Sequence, residues 1–257
     1  MTPLPLRADQ LEFRREEIYT AYRSFCDFLK DVLNSDLDTI DDQPIERSSW
    51  TSVCFDKNVT LAGHSFGGCT VLSILSSNPP SEYMHIPVSH ALVLDPWLEP
   101  LPLPALIPIL LSQDPAQLSI PNAKPNNSPQ DESQDSQDGW LPQMLVINSE
   151  VFTLWKDHYE RLQNVVKAWE PQGGRLLTLG KHEAFSDFPS LPIIGSSAAN
   201  TIMNIISKLS IAFLNNELEE DLSSASIREM EIKVIGKRKD GKPKRKLIGD
   251  VGDIIVA

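Results

Sequence analysis

The chain has 257 residues, a net charge of −12, 41% hydrophobic residues and twenty prolines, enough to bury a sizeable core in one large or two small domains. Three cysteines, Cys26, Cys54 and Cys69, show neither CxxC nor metal-ligand spacing, which argues against a disulfide scaffold and suits a reducing compartment. The acidic balance disfavours nucleic acid as a general partner, and with no signal-peptide core or membrane-length apolar run in view the expectation is a cytoplasmic protein.

Residues 8–34 read as one amphipathic helix, with Leu11, Ile18, Tyr22, Phe25, Phe28, Leu29 and Val32 near one face. Residues 35–57 are polar and turn-rich, with a short apolar piece at Trp50–Phe55. The run Val59-Thr60-Leu61-Ala62 has strand character and leads into Gly63-His64-Ser65-Phe66-Gly67-Gly68, after which residues 69–75 suit a helix. Strand, sharp turn and helix are the setting of a G-x-S-x-G nucleophile elbow. Such a turn strains the backbone at the serine, and a Cβ at position 63 or 67 is expected to collide with the crossing strand and helix. Ser65 Oγ is thereby lifted clear of the sheet, beside the positive end of the following helix.

Asn78-Pro79-Pro80 stops that helix. His90–Leu94 reads as a buried strand ending at Asp95-Pro96-Trp97. Residues 98–112 are apolar but broken by four prolines, a pocket wall or a surface loop bracketed by Trp97 and Trp140. Residues 113–139 have the composition of a disordered insert. Gln143–Asn148 is a third strand, 153–168 a helix, and Arg175–Leu179 a fourth strand that runs into Gly180-Lys181-His182. A last long helix covers about 197–216, and Asp240-Gly241 turns a hairpin between 232–235 and 247–248. Within that hairpin, residues 236–246 carry a net +6, which leaves −18 for the rest.

Strands alternating with helices imply an α/β fold with a mostly parallel sheet flanked by helices and function at the carboxyl ends of the strands. Ser65, Asp95 and His182 fall at such ends, and serine, aspartate, histidine is the chain order of an α/β-hydrolase triad. Serine is a weak nucleophile at neutral pH, so an imidazole must take its proton while a carboxylate fixes the imidazole tautomer. His85 and His90 precede Asp95, His158 lies mid-helix in a surface or packing role, and His64 belongs to the elbow. The Phe66 N–H, next after the nucleophile, is the expected oxyanion donor; a second donor is not identifiable. Neither a metal nor a cofactor is implied.

With GHSFGG, LDPW and the His182-x4-Asp187-Phe188 run in place, residues 8–215 resemble the platelet-activating factor acetylhydrolases, in the form often seen in fungi. The resemblance implies a calcium-independent serine esterase that removes a short sn-2 acyl chain from a glycerophospholipid, with Ser65 as nucleophile, Asp95 and His182 as its partners and Phe66 N–H in the oxyanion hole. It also implies strands before the first helix that this chain lacks. The expected organisation is therefore a partial α/β-hydrolase domain over 1–216, carrying the insert at 113–139, and a tail over 217–257. The competing reading is a truncated, catalytically impaired hydrolase fold used as an interaction module, or a gene fragment. The basic run 236–246 is expected either to touch an anionic membrane peripherally or to be a solvated hairpin, and the oligomeric state is left open.

Overall fold

A computed structural model of the chain describes residues 5–34, 53–101, 141–170, 173–183 and 197–257. The expected insert at 113–139, most of the apolar 98–112 stretch, Trp140 and Asp187-Phe188 lie outside these residues.

Helix α1 (Pro5–Asn34) precedes β1 (Val59–His64), α2 (Phe66–Leu75) and β2 (Val88–Leu94). Then come β3 (Gln143–Ser149), the short α3 (Glu150–Leu154), α4 (Lys156–Trp169), β4 (Gly174–Leu179) and α5 (Ser197–Leu214). The C-terminal part adds α6 (Leu218–Ser224), β5 (Ile227–Glu229), β6 (Ile232–Lys237), β7 (Pro243–Leu247) and β8 (Ile254–Val256). The main sheet has the order β1-β2-β3-β4-β8-β5. Strands β1 to β4 are parallel, β8 runs antiparallel to β4, and β5 lies parallel to β8. This is a mixed, mostly parallel sheet flanked by helices, an α/β-hydrolase-like architecture.

The middle strands carry apolar runs, Ala91–Leu94 on β2 and Met144–Ile147 on β3, because both faces of the sheet are covered there. Met144 and Val146 of β3 point into one core with Ala91 and Val93, packed under Leu72 of α2, Leu11 of α1 and Leu162, Val165 and Trp169 of α4. Leu145 and Ile147 point the other way, into a second core with Leu177, Leu179 and the α5 residues Ile202, Ile206, Leu209 and Phe213. Met144, Leu145, Val146 and Ile147 are all fully buried, and each such side chain contributes about 1.5–3 kcal/mol by leaving water. Helix α5 is long and apolar enough to cross a bilayer, yet its apolar stripe is this second core.

Two expectations need correction. Helix α1 buries Leu11, Arg15, Tyr19, Cys26 and Leu29, whereas Ile18, Phe25 and Phe28 are 37–42% exposed. The buried stripe is turned relative to the expected one because Arg15 reaches the Asn78 carbonyl at 2.8 Å and Tyr19 packs on Tyr83, with Ile74 and Ile86 in the same cluster. The expected tail at 217–257 is also not apart from the body. Ile254 and Ile255 are buried, and β8 fills the position beside β4. The hairpin within it does form, as β6 paired antiparallel with β7.

Candidate active site

Ser65 follows β1 directly, Asp95 follows β2 directly, and His182 lies in the loop after β4. The parallel register aligns His64 with Leu94 and Leu94 with Ile147, so these loops open side by side at one end of the sheet.

The elbow is strained in the way its chemistry requires. Ser65 has φ 56° and ψ −116°, a backbone conformation costing about 1–3 kcal/mol in a non-glycine residue. Surrounding bonds hold it there. The Ser65 N–H donates to the Leu94 carbonyl at 2.9 Å, and the Ser65 carbonyl accepts from Cys69 N–H and Trp97 N–H, each at 3.1 Å. A Cβ on Gly63 would overlap the Gly67 carbonyl, as expected. Position 67, however, has open space around it. The second close approach is at Gly68, whose Cβ would sit 3.0 Å from Val93 Cγ1 and 3.2 Å from Pro96 Cα. Phe66 opens α2, so its N–H is one of the first-turn amides that lack an intrahelical acceptor.

Asp95 is fully buried and has φ 44°. Its Oδ1 accepts from Ser149 N–H at 2.5 Å, and its Oδ2 lies 3.4 Å from Nε2 of His182, itself 1% exposed. The structure thus brings Asp95 and His182 together directly. Ser65 is tied to them through the backbone, by Leu94 and Trp97 on either side of Asp95. His64 Nε2 is 4.0 Å from the same Oδ2. Burial lowers its pKa below the ordinary histidine value, the Asp95 carboxylate pulls it up, and His182 pushes it down.

Several supports were not legible in the sequence. Gly180 N–H donates to the Asp253 carbonyl at 2.9 Å, and a Cβ on Gly180 would overlap the Asp250 carbonyl. The turn just before β8 therefore braces the His182 loop. The Glu150 N–H donates to the His182 carbonyl at 3.0 Å, which holds the loop from its other side. The segment after Asp95 is pinned by α4: Arg161 donates to the Leu98 carbonyl at 2.5 Å and to the Leu101 carbonyl at 3.0 Å, and His158 Nε2 accepts from Leu98 N–H at 3.2 Å. His158 is fully buried, so of its two expected roles it takes packing. An apolar patch flanks the serine, where the Phe66 and Trp97 rings lie 6.2 Å apart with the Arg7 guanidinium 5.5 Å from the indole centre. A surface cavity of about 580 Å³ opens elsewhere, between Glu170, Arg175, Glu219 and Ala257, and contains none of the three residues.

A serine on a strained strand–helix turn, bonded through its backbone to the segment that carries a buried carboxylate facing an imidazole, offers the groups that nucleophilic acyl transfer uses. No curated protein matches the chain. Residues 3–106, a span that includes Ser65 and Asp95 and ends before His182, match the family model described as platelet-activating factor acetylhydrolase, isoform II.

Proposed function

We propose that this chain is a serine esterase that removes the acetyl or short acyl group from the sn-2 position of a glycerophospholipid. The observation that carries the reading is the buried Asp95–His182 pair, 3.4 Å apart, at the strand end beside the elbow serine.

The steps follow from the groups present. The His182 nitrogen facing Asp95 holds the ring proton, which leaves the other nitrogen as the base. That nitrogen takes the Ser65 Oγ proton as the oxygen attacks the ester carbonyl. Asp95 stabilises the imidazolium that forms, and its own orientation is held by Ser149 N–H. The Phe66 N–H donates to the developing oxyanion; such a donor typically contributes about 10²–10³ in rate. The imidazolium then gives its proton to the departing lysophospholipid alkoxide. Water, activated by the same nitrogen, releases the acyl group from Ser65.

Incubation with a 1-alkyl-2-acetyl-glycerophosphocholine tests the reading. The expected result is release of acetate that Ser65→Ala abolishes, with slower release from long-chain diacyl substrates. Equal turnover by Ser65→Ala protein would overturn it.

A further inference from the structure

The hairpin of β6 and β7 concentrates basic residues on an exposed surface, and it rises from the rim of the candidate site. Its base is fixed to Glu150 of α3, whose Oε1 accepts from Leu247 N–H at 3.3 Å while its own N–H donates to the His182 carbonyl at 3.0 Å. Leu247, 1% exposed, anchors the second strand, and Ile248 N–H donates to the Glu231 carbonyl at 2.9 Å to close the base. Beyond this anchor every residue of β6 is exposed.

Nothing within the hairpin neutralises its charge. Residues 236–246 hold seven Lys and Arg against one acid, Asp240. Asp240 Oδ1 accepts from Lys242 N–H at 3.1 Å, so the acid serves the turn. Among the described residues, the side-chain ion pair in this region is Lys233 with Glu231 at 2.9 Å, outside the seven. Lys233 and Lys246 face each other directly across the strands, a like-charge pairing that Glu231 relieves on the Lys233 side only. Apolar side chains stand among the charges: Val234 is 65% exposed and Ile235 51%. Val151 on α3, the helix that holds the hairpin's base, is 57% exposed, and Trp155, just past its end, is 39% exposed.

We infer that this hairpin, with the exposed face of α3, docks the protein on an anionic lipid bilayer. Basic residues with interspersed aliphatic side chains are what an acidic headgroup layer attracts and admits at its surface. The remainder of the chain carries −18 and is repelled by the same layer, so attraction acts through this one pole. Attachment by the hairpin turns the Ser65 end of the sheet toward the lipid. The benefit to turnover rests on the esterase reading; the docking itself rests on charge and placement. Nucleic acid is the poorer partner, because residues 232–247 contain no aromatic platform for bases.

The test is co-sedimentation of full-length Ser65→Ala protein with phosphatidylcholine vesicles, with and without phosphatidylserine, so that binding is read without turnover. Binding is expected only with phosphatidylserine and should weaken as salt rises. Neutralising Lys237, Arg238 and Lys239 together to Gln should cut the partition about a hundredfold, at roughly fivefold per charge. The same treatment of Lys244, Arg245 and Lys246 should do likewise, and Val234→Ser with Ile235→Ser should cost about tenfold. All three variants change exposed or half-exposed side chains and should keep the parent's thermal midpoint. Vesicle binding that ignores phosphatidylserine, survives both charge variants, or is surpassed at equal salt by binding to duplex DNA overturns the inference. Each of these outcomes is independent of whether the protein cleaves esters.

Discussion

The N–H of Gly252 donates to the carbonyl of Gly180 at 3.0 Å, and through this bond the turn before the last strand grips the loop that carries His182. The candidate base is therefore positioned by residues about seventy places further along the chain. Gly180→Ala drives a Cβ into the Asp250 carbonyl, a backbone atom that cannot swing away. The expected cost is about 1–3 kcal/mol of stability. A fall in kcat larger than any rise in KM should accompany it, because a displaced imidazole affects the chemical step more than binding. Thermal unfolding together with ester-hydrolysis kinetics checks both parts.

The elbow glycines should behave oppositely. Gly63→Ala sets a methyl against the Gly67 backbone, with no side-chain rotation to relieve it, and should destabilise by about 3 kcal/mol or more. Gly67→Ala meets open space inside α2 and should be neutral or stabilising by about 0.5–1 kcal/mol, since alanine is the better helix former. Denaturant titration of the two variants separates them; equal destabilisation would contradict this account of the turn.

Asp95→Asn keeps the size of the side chain and alters its hydrogen bonding. Ser149 N–H needs an acceptor, so the amide oxygen turns toward it and the amide NH₂ faces His182 Nε2. A donor there forces Nε2 to accept, which moves the ring proton to the nitrogen that should serve as base. A fall in kcat of about 10⁴-fold with little change in KM is expected, as for the analogous substitution in serine proteases. A fall of less than about tenfold would show that Asp95 is not the partner of the base.

Burial pushes the pKa of His158 down to about 4, with Arg161 adding to the effect against the pull of Pro96 and Asp95. It is therefore held neutral in the fold, and its unfolded counterpart, near 6.5, binds the proton first. Stability is fully present above about pH 6.5 and is lost as pH falls toward 4, by up to about 1.4 kcal/mol per pH unit. Denaturation midpoints across that window should slope more steeply in the parent than in His158→Gln.

The strands and the elbow were legible because short apolar runs ending in Gly, Asp or Pro have few other uses in an α/β chain. The stripe on α1 was not. Its apolar residues cover a wide arc, and the choice between Ile18 and Tyr19 was made by Tyr83 and the Ile74 cluster, which a helical wheel does not contain. Strands β5 and β8 are three residues each, too short for a period to register, and β5 is exposed throughout. Arg161 and Gly180 escaped notice for a related reason. Their partners are backbone carbonyls distant in sequence, and nothing local in the chain marks such a bond.

The account stands on Ser65 being an activated nucleophile. Full-length protein treated with a fluorophosphonate probe, digested and mapped by mass spectrometry should carry the adduct on the peptide containing Ser65, and His182→Ala should abolish that labelling while the protein stays folded. Folded parent protein that takes up no probe, or an adduct on any other residue, would contradict it.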